Sequence, residues 1–299
     1  MADSDASAAA DLERAASEFE VMRPRLFGIA YRMLGSVGEA QDVVQDAWLR
    51  WQMTDRSGIR NPVAFLATVT TRLAVNVATS ARARREMYVG SWLPEPVRTD
   101  DDPALGAERA EALELGLLKL LERLTPRERA VYLLREAFDY SFADIAGVLE
   151  TTEANVRQLA SRARRHIQES RPTSVAKEER SRLLHAFVSA AQTGDLVQLE
   201  QLLAEDVVFY ADGGGIVSAA RRPVVGRDNV VRFLAGVREK FTFDARFSVV
   251  TANGEDAMLV TREGAPYILG AISAGENGID GVYFVLNPEK LDAGLGRLA

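Results

Sequence analysis

The 299-residue chain is 47% apolar, carries a net charge of −7, contains no cysteine and has only two histidines. That length suits two or three domains with packed cores, and no segment reads as an uninterrupted membrane span. Without cysteine there is no disulfide framework, thiolate metal site or thiol switch, and His166 and His185 alone make no His-rich site, so a cytoplasmic protein with no metal or cofactor is expected. Net acidity argues against indiscriminate nucleic-acid binding, but charge is segregated along the chain. No acidic residue lies between Arg56 and Arg85, a stretch with Arg60, Arg72, Arg82 and Arg84, whereas acid gathers at the N-terminus and from Glu95 to Glu114.

Residues 1–17 are rich in alanine, serine and aspartate and lack the basic start and apolar run of a signal peptide; they read as a disordered acidic tail. Phe19, Met22, Leu26, Ile29, Ala30 and Met33 then predict a helix to Leu34, broken by Gly35-Ser36-Val37-Gly38. A second helix, Glu39 to Trp51, places Val43, Ala47 and Arg50 on one side and Val44, Trp48 and Trp51 on another. Two tryptophans plus Leu49 exceed the needs of a one-sided core helix, and Asp42, Gln45 and Asp46 border them. Aromatic anchors edged by polar groups suit a protein partner; the alternative is that both tryptophans are core. Asn61 and Pro62 open a third helix, with Phe65, Leu66, Val69, Leu73 and Val77 as its apolar stripe and closely spaced arginines at its end. Those arginines face nucleic acid or simply complement the helix dipole.

A linker, 90–110, holds Trp92-Leu93-Pro94-Glu95-Pro96 and then Asp100-Asp101-Asp102-Pro103. Its prolines forbid a continuous helix, and an exposed Trp-Leu pair needs somewhere to dock. From Leu124 to Ile167 three helices follow with tight junctions, capped by Thr125, Ser141 and Thr152. In the third, Val156, Leu159, Ala160, Ala163 and Ile167 form one buried stripe, and Arg157, Ser161, Arg164 and Arg165 fall opposite, with Gln158 and Arg162 beside them. A short helix, a tight turn and a basic amphipathic helix make a helix-turn-helix whose second helix enters the major groove. A basic solvated face on a helical hairpin is the plainer alternative.

After Arg171-Pro172 the pattern changes. Helices continue to Leu203 and are followed by predicted strands at Val207–Tyr210, Ile216–Ala219, Phe241–Thr251, Ala257–Thr261, Tyr267–Ala274 and Ile279–Leu286. Asp228 is placed to cap a helix between the second and third strands, and Asn277-Gly278 signals a hairpin between the last two. Helices, then a curved antiparallel sheet, give an α+β cone.

The helices from Phe19 to Arg85, the linker and the helix-turn-helix together resemble a bacterial RNA polymerase sigma factor of the extracytoplasmic-function type, which keeps only regions 2 and 4 of larger sigma factors. AQDVVQDAWLRW is similar to the region 2 helix that grips the polymerase clamp, and NPVAFLATVTTRLAVNVATSARARRE to the segment that melts and reads the minus-ten element. The stretch from Leu124 to Ile167 resembles region 4, which reads the minus-thirty-five element. The remainder resembles the SnoaL-like fold. The sigma-factor group that carries such a domain also has a WLPEP-like linker, a DGGG-like loop, here Asp212-Gly213-Gly214-Gly215, and an NPxKL-like end, here Asn287-Pro288-Glu289-Lys290-Leu291. The chain departs from the family at Glu150, where the helix-turn-helix usually has glycine, at Asn76, where region 2 often has aspartate, and at Ile216, where lysine often follows the glycine loop.

The resemblance implies a multidomain protein: region 2 over 18–89, the linker, region 4 over 111–171 and a SnoaL-like regulatory domain over 172–299. It implies core RNA polymerase and promoter DNA as partners, with a small-molecule ligand of the last domain left open and no membrane. Polymerase contacts would come from Asp42, Gln45, Asp46, Trp48, Leu49 and Trp51. Minus-ten contacts would come from Arg72, Asn76, Ser80, Arg82, Arg84 and Arg85, and upstream contacts from Glu153, Asn155, Arg157, Gln158, Ser161, Arg162, Arg164 and Arg165. Regulation would run through the linker pentapeptide, the Asp212 loop and the Asn287–Leu291 end. Asp212 beside a glycine loop could also serve as a base in a SnoaL-like isomerase or cyclase tethered to DNA. The other rival is a ligand-sensing helix-turn-helix regulator that works without polymerase.

Overall fold

The computed structural model describes residues 2–99, 114–170, 175–241 and 245–295. The acidic run Asp100–Pro103 and the junctions near 110 and 171 lie outside them. The chain forms two compact units, one of residues 1–82 with 124–163 and the other of 83–123 with 164–299.

The first unit is helical. Helix α1 (Ala2–Leu34) includes the stretch expected to be a tail. Its alanines favour helix, and Ala15 is buried because its carbonyl accepts the Trp51 indole N–H at 3.1 Å. Gly35, at φ +65°, ends α1, and the Ser36 side chain caps α2 (Val37–Met53) through the Glu39 amide. A 3-10 turn (Arg56–Gly58) leads to α3 (Pro62–Glu86), capped by Asn61 through the Ala64 amide. α3 has the length and apolarity to cross a membrane, contrary to the expectation from composition, yet it buries Leu66, Ala67, Thr70, Thr71, Leu73 and Ala74 as a core helix does.

Trp51 corrects the sequence reading. It is 0% exposed, bonded to Ala15 and packed on Phe65 with ring centroids 5.7 Å apart, so it is core rather than a surface anchor. Trp48 is half-buried beside Phe19, and Leu49 is exposed. The expectation that both tryptophans share one role fails because, nearly one turn apart, Trp51 packs against Ala15 and Phe65 while Trp48 lies beside Phe19.

Helices α5 (Pro126–Glu136) and α6 (Phe142–Val148) both begin with full capping boxes, Thr125 with Glu128 and Ser141 with Asp144. The Thr152 hydroxyl receives the Asn155 amide and starts α7 (Glu153–Ser170). Between α6 and α7 Glu150 sits at φ +49°, so the left-handed turn is made without the family's glycine. Arg129 of α5 is buried and donates to the Met33 carbonyl at 2.7 Å, and Arg32 lies 5.2 Å from the ring centre of Phe138, just past α5; the contacts fasten α5 and the residues after it to α1.

The second unit is built on a six-stranded sheet in the order β2-β1-β6-β5-β4-β3. Its strands are β1 (Leu203–Asp212), β2 (Val224–Val225), β3 (Ala245–Ala252), β4 (Glu255–Arg262), β5 (Ala265–Gly275) and β6 (Gly278–Val285). The sheet is mixed, since β1 runs parallel to β6 and every other pairing is antiparallel. The predicted strand at Ile216–Ala219 is absent; the chain there is a turn and bend, and the strand forms at Val224–Val225 instead. A Cβ on Gly213 would press on the Val217 carbonyl, so the backbone doubles back on itself where a strand would run straight. The β5–β6 hairpin forms as expected, with Gly275 opposite Gly278.

Both faces of this sheet are apolar and both are covered. Helices α8 (Lys177–Thr193), α9 (Leu196–Leu202) and α10 (Arg227–Phe241) close one face over Phe187, Phe209, Met258, Val282 and Phe284. α10 begins one residue before Asp228, which therefore sits in its first turn rather than at its cap. The other face packs Leu259, Leu269, Tyr283 and Val285 against Leu93 of the linker, Leu115 of α4 (Leu115–Leu121) and Leu291 and Leu295 of α11 (Pro288–Leu295).

Trp51→Ala is expected to lower unfolding free energy by about 3–5 kcal/mol, whereas exposed Leu49→Ala stays within about 0.5 kcal/mol. Urea unfolding of each full-length variant distinguishes the two.

Candidate functional site

The linker crosses the second unit without forming a regular strand. Leu93 is 0% exposed, and both of its backbone polar groups meet charged side chains. Its amide donates to the Asp212 carboxylate at 2.8 Å, and its carbonyl accepts from Lys290 Nζ at 2.5 Å. Lys290 Nζ also pairs with Asp212 at 2.8 Å, which closes a triangle around one linker residue. The Tyr88 hydroxyl donates to Asp212 Oδ1 at 2.6 Å, the Gly214 amide donates to the same oxygen at 3.0 Å, and Asn287 Nδ2 donates to the Tyr88 oxygen at 3.1 Å. Leu286 and Asn287 amides take the Asp212 backbone carbonyl, so the end of β1 is held to the end of β6.

The glycine loop fits this cluster by lacking side chains. Gly214 is at φ +64°, and a Cβ there would collide with the Asn287 amide group. Burial pushes the Lys290 ammonium below its ordinary range, with Asp212 opposing that shift. Burial, then the bond to Asp212, pushes the Tyr88 hydroxyl up. Lys290 Nζ lies 4.3 Å from the Trp92 ring centre and the Arg85 guanidinium 3.8 Å from it, so cations flank Trp92. Four donors occupy the Asp212 carboxylate, one of them the Leu93 amide of the linker.

Further along, Val97 exchanges two bonds with Asn253: its amide donates to Asn253 Oδ1 at 3.0 Å, and its carbonyl accepts the Asn253 amide at 2.8 Å. Arg98 bridges Ala252 in antiparallel fashion, and Pro96 fills the space that a side chain on Gly294 would need. Lys119 of α4 donates to the Trp92 carbonyl at 2.7 Å, and Arg85 pairs with Glu122 at 2.5 Å. Trp92, Leu93, Pro94, Pro96, Asp212, Gly214, Asn287, Lys290 and Leu291 thus come together. Tyr88, Asn253, Gly294, Lys119 and Glu122 join them without any signal in the sequence beyond their types.

The DNA-reading candidates divide. Asn76, Ser80, Arg82 and Arg84 are exposed, as are Arg157, Gln158, Ser161, Arg162, Arg164 and Arg165. Arg157 pairs with Glu153 one turn back and lies over Phe142, and Arg162 Nε reaches Glu128 at 3.3 Å. Asn155 is half-buried and bonds Thr151. Arg72 is engaged within the first unit: it donates to the Val148 carbonyl at 2.7 Å and the Gly147 carbonyl at 3.0 Å, and pairs with Glu150 at 2.7 Å. A minus-ten candidate is therefore bound to the turn of the helix-turn-helix. On the polymerase side Asp42, Gln45 and Asp46 are exposed beside Leu49. Among the described residues no group of His, Cys, Asp or Glu is placed to hold a metal.

The family model of Sigma-70 region 2 matches residues 19–85, that of Sigma-70 region 4 matches 114–167, and that of the SnoaL-like domain matches 184–279. The ECF RNA polymerase sigma factor SigJ of Mycobacterium tuberculosis is 39% identical over 274 residues, 89% of this chain and 83% of that protein. The probable ECF RNA polymerase sigma factor SigI of the same species is 35% identical over 213 residues, 70% of this chain and 71% of that protein. The crystal structure of Mycobacterium tuberculosis SigJ superposes with a TM-score of 0.76 at 34% identity, covering 93% of this chain and 99% of that one.

Asp212→Ala or Lys290→Met leaves the opposite charge buried and unpaired, and each is expected to cost about 3–5 kcal/mol. The double variant costs less than the sum, because the second change removes the orphaned charge. Chemical denaturation of all three variants measures the coupling.

Proposed function

The chain belongs to the extracytoplasmic-function RNA polymerase sigma factors, which bind core polymerase and promoter DNA, and from that premise we propose that its SnoaL-like domain regulates initiation by holding the linker between regions 2 and 4. The observation that carries this reading is Leu93, whose side chain completes the outer core of the sheet while its backbone completes the Asp212–Lys290 pair. Docking also draws the two ends of the tether together, since Arg85 at the end of α3 pairs with Glu122 just after α4. Two minus-ten candidates, Arg72 and Arg85, are occupied by protein groups in this form. The docked linker is accordingly the low-activity state, and polymerase or promoter binding must release it.

On this reading region 2 presents Asp42, Gln45, Asp46, Leu49 and the edge of Trp48 to polymerase, and Asn76, Ser80, Arg82 and Arg84 to the minus-ten element. The forward half of α7, with Arg157 and Gln158, reads upstream bases, while Arg164 and Arg165 contact phosphates. The apolar cavity inside the cone, among Phe187, Leu234, Met258 and Phe284, is about 60 Å³, far below the several hundred Å³ of ordinary ligand pockets. A cavity of about 360 Å³ opens on the outer face, beside Gly116, Tyr210, Asp280 and Tyr283. A small molecule that modulates the linker belongs there rather than inside the cone.

Run-off transcription with core polymerase tests the sign. Leu93→Asp, which cannot dock in the apolar face, should raise the transcript yield several-fold over wild type at equal protein concentration. Equal or lower yield, with promoter binding retained, would show that docking does not restrain initiation.

A further inference from the structure

Away from the Asp212 cluster, a second buried ionic group ties α4 to the C-terminal domain. Glu114, the residue before α4, and Glu255, the first residue of β4, both pair with Arg180 in the first turn of α8. Arg180 Nη2 donates to Glu114 Oε1 at 2.9 Å and to Glu255 Oε1. The side chains of Glu114 and Arg180 are each 7% exposed and that of Glu255 is 16% exposed. Two carboxylates thus share one guanidinium out of water. Burial and the neighbouring Glu114 carboxylate both disfavour ionisation of Glu255, and a proton held on Glu255 relieves both.

Other charged and polar groups flank the cluster. Lys177, one turn earlier on α8, spends its ammonium on the Gly254 carbonyl at 2.7 Å. Asp256, next along β4, accepts from the Ser181 hydroxyl at 2.5 Å and adds negative charge. The backbone of Arg98 in the linker bridges Ala252 at the end of β3.

We infer that Glu114, Arg180 and Glu255 form a proton-operated catch that fastens the first helix of region 4 to the C-terminal domain. The inference rests on reading that domain as a restraint, and it adds the chemical signal to which the restraint responds. Its place is informative, because the region 4 match begins at Glu114 and a short turn after α4 leads into the helix-turn-helix. The sign follows from Glu255, whose carboxyl is raised from 4.5 to about 7, first by burial and next by Glu114, against the pull of Arg180. A docked Glu255 holds a proton at pH values where a solvated glutamate has lost it, so docking takes up a proton. The catch is firm at low pH, and its advantage is lost as pH rises through about 7. Acidification tightens the restraint, and alkalinisation loosens it.

Hydrogen exchange on the full-length protein tests the catch directly, without reference to transcription. Protection factors for the amides of α4, corrected for intrinsic exchange, should fall about tenfold between pH 6 and pH 8, as a single proton titrating near 7 requires. Amides of β6 should change much less. In Glu255→Gln the α4 protection should become flat with pH, because Arg180 then faces Glu114 alone. Glu114→Gln should shrink the dependence, because it removes the second cause of the Glu255 shift, and serves if the first variant does not fold. Wild-type α4 protection that is equal at both pH values overturns the inference, as does an equal fall in β6. A tenfold fall that persists in a folded glutamine variant also overturns it. If the catch fails while Leu93→Asp still raises transcription, the restraint stands and only its proton control is lost.

Discussion

The second unit depends on a charge pair that is complete only when a third party is present. Asp212 and Lys290 are both buried and both bond the backbone of Leu93. Removing the linker would strip the carboxylate of its amide donor and the ammonium of its carbonyl acceptor, in a place where water is scarce. Unsatisfied buried groups cost about 1–3 kcal/mol each, and more when charged. The same step would uncover Leu259, Leu269 and Val285 on the outer sheet face, which pack on Leu93. Polar and apolar terms therefore favour the same docked state, and one residue carries both.

This arrangement explains why the C-terminal sheet does not show the half-solvated alternation of an ordinary antiparallel sheet. Stretches such as Val282–Leu286 and Ile268–Ile272 read as nearly continuous apolar runs, because one face lies under α8, α9 and α10 and the other under the linker, α4 and α11. On the proposed reading, a sheet covered by segments of the sigma module registers their release. Within the first unit, Arg72 holds the Gly147 and Val148 carbonyls and Glu150, so this region 2 candidate is engaged by the turn of the helix-turn-helix.

Much of this was legible in the sequence, though not evenly. Caps at Asn61, Thr125, Ser141 and Thr152 and the apolar stripe of α7 are local features, and each appears where the residue pattern places it. The grouping of the linker pentapeptide, the glycine loop and the Asn287 end came from resemblance to a family, since nothing in spacing joins residues about 120 and 200 positions apart. Strand order is a long-range property, so the parallel β1–β6 pairing was invisible to periodicity. Trp51 misled because two tryptophans one turn apart look alike in a helical wheel, and only tertiary packing separates the buried ring from the half-buried one. Tyr88, Gly294 and the Glu114–Arg180–Glu255 group carry no motif; their roles exist only once the chain has folded.

The central claim is that the linker must leave the sheet for initiation to proceed. Because the chain has no cysteine, a pair introduced at Arg98→Cys and Ala252→Cys, which face each other across the antiparallel bridge, has only itself to oxidise with. Transcription by this one variant, assayed with core polymerase before and after reduction, compares a locked linker with a free one in the same protein. The account predicts little transcript from the oxidised form and recovery on reduction. Equal transcript from both forms, with the disulfide verified by mass, would contradict it.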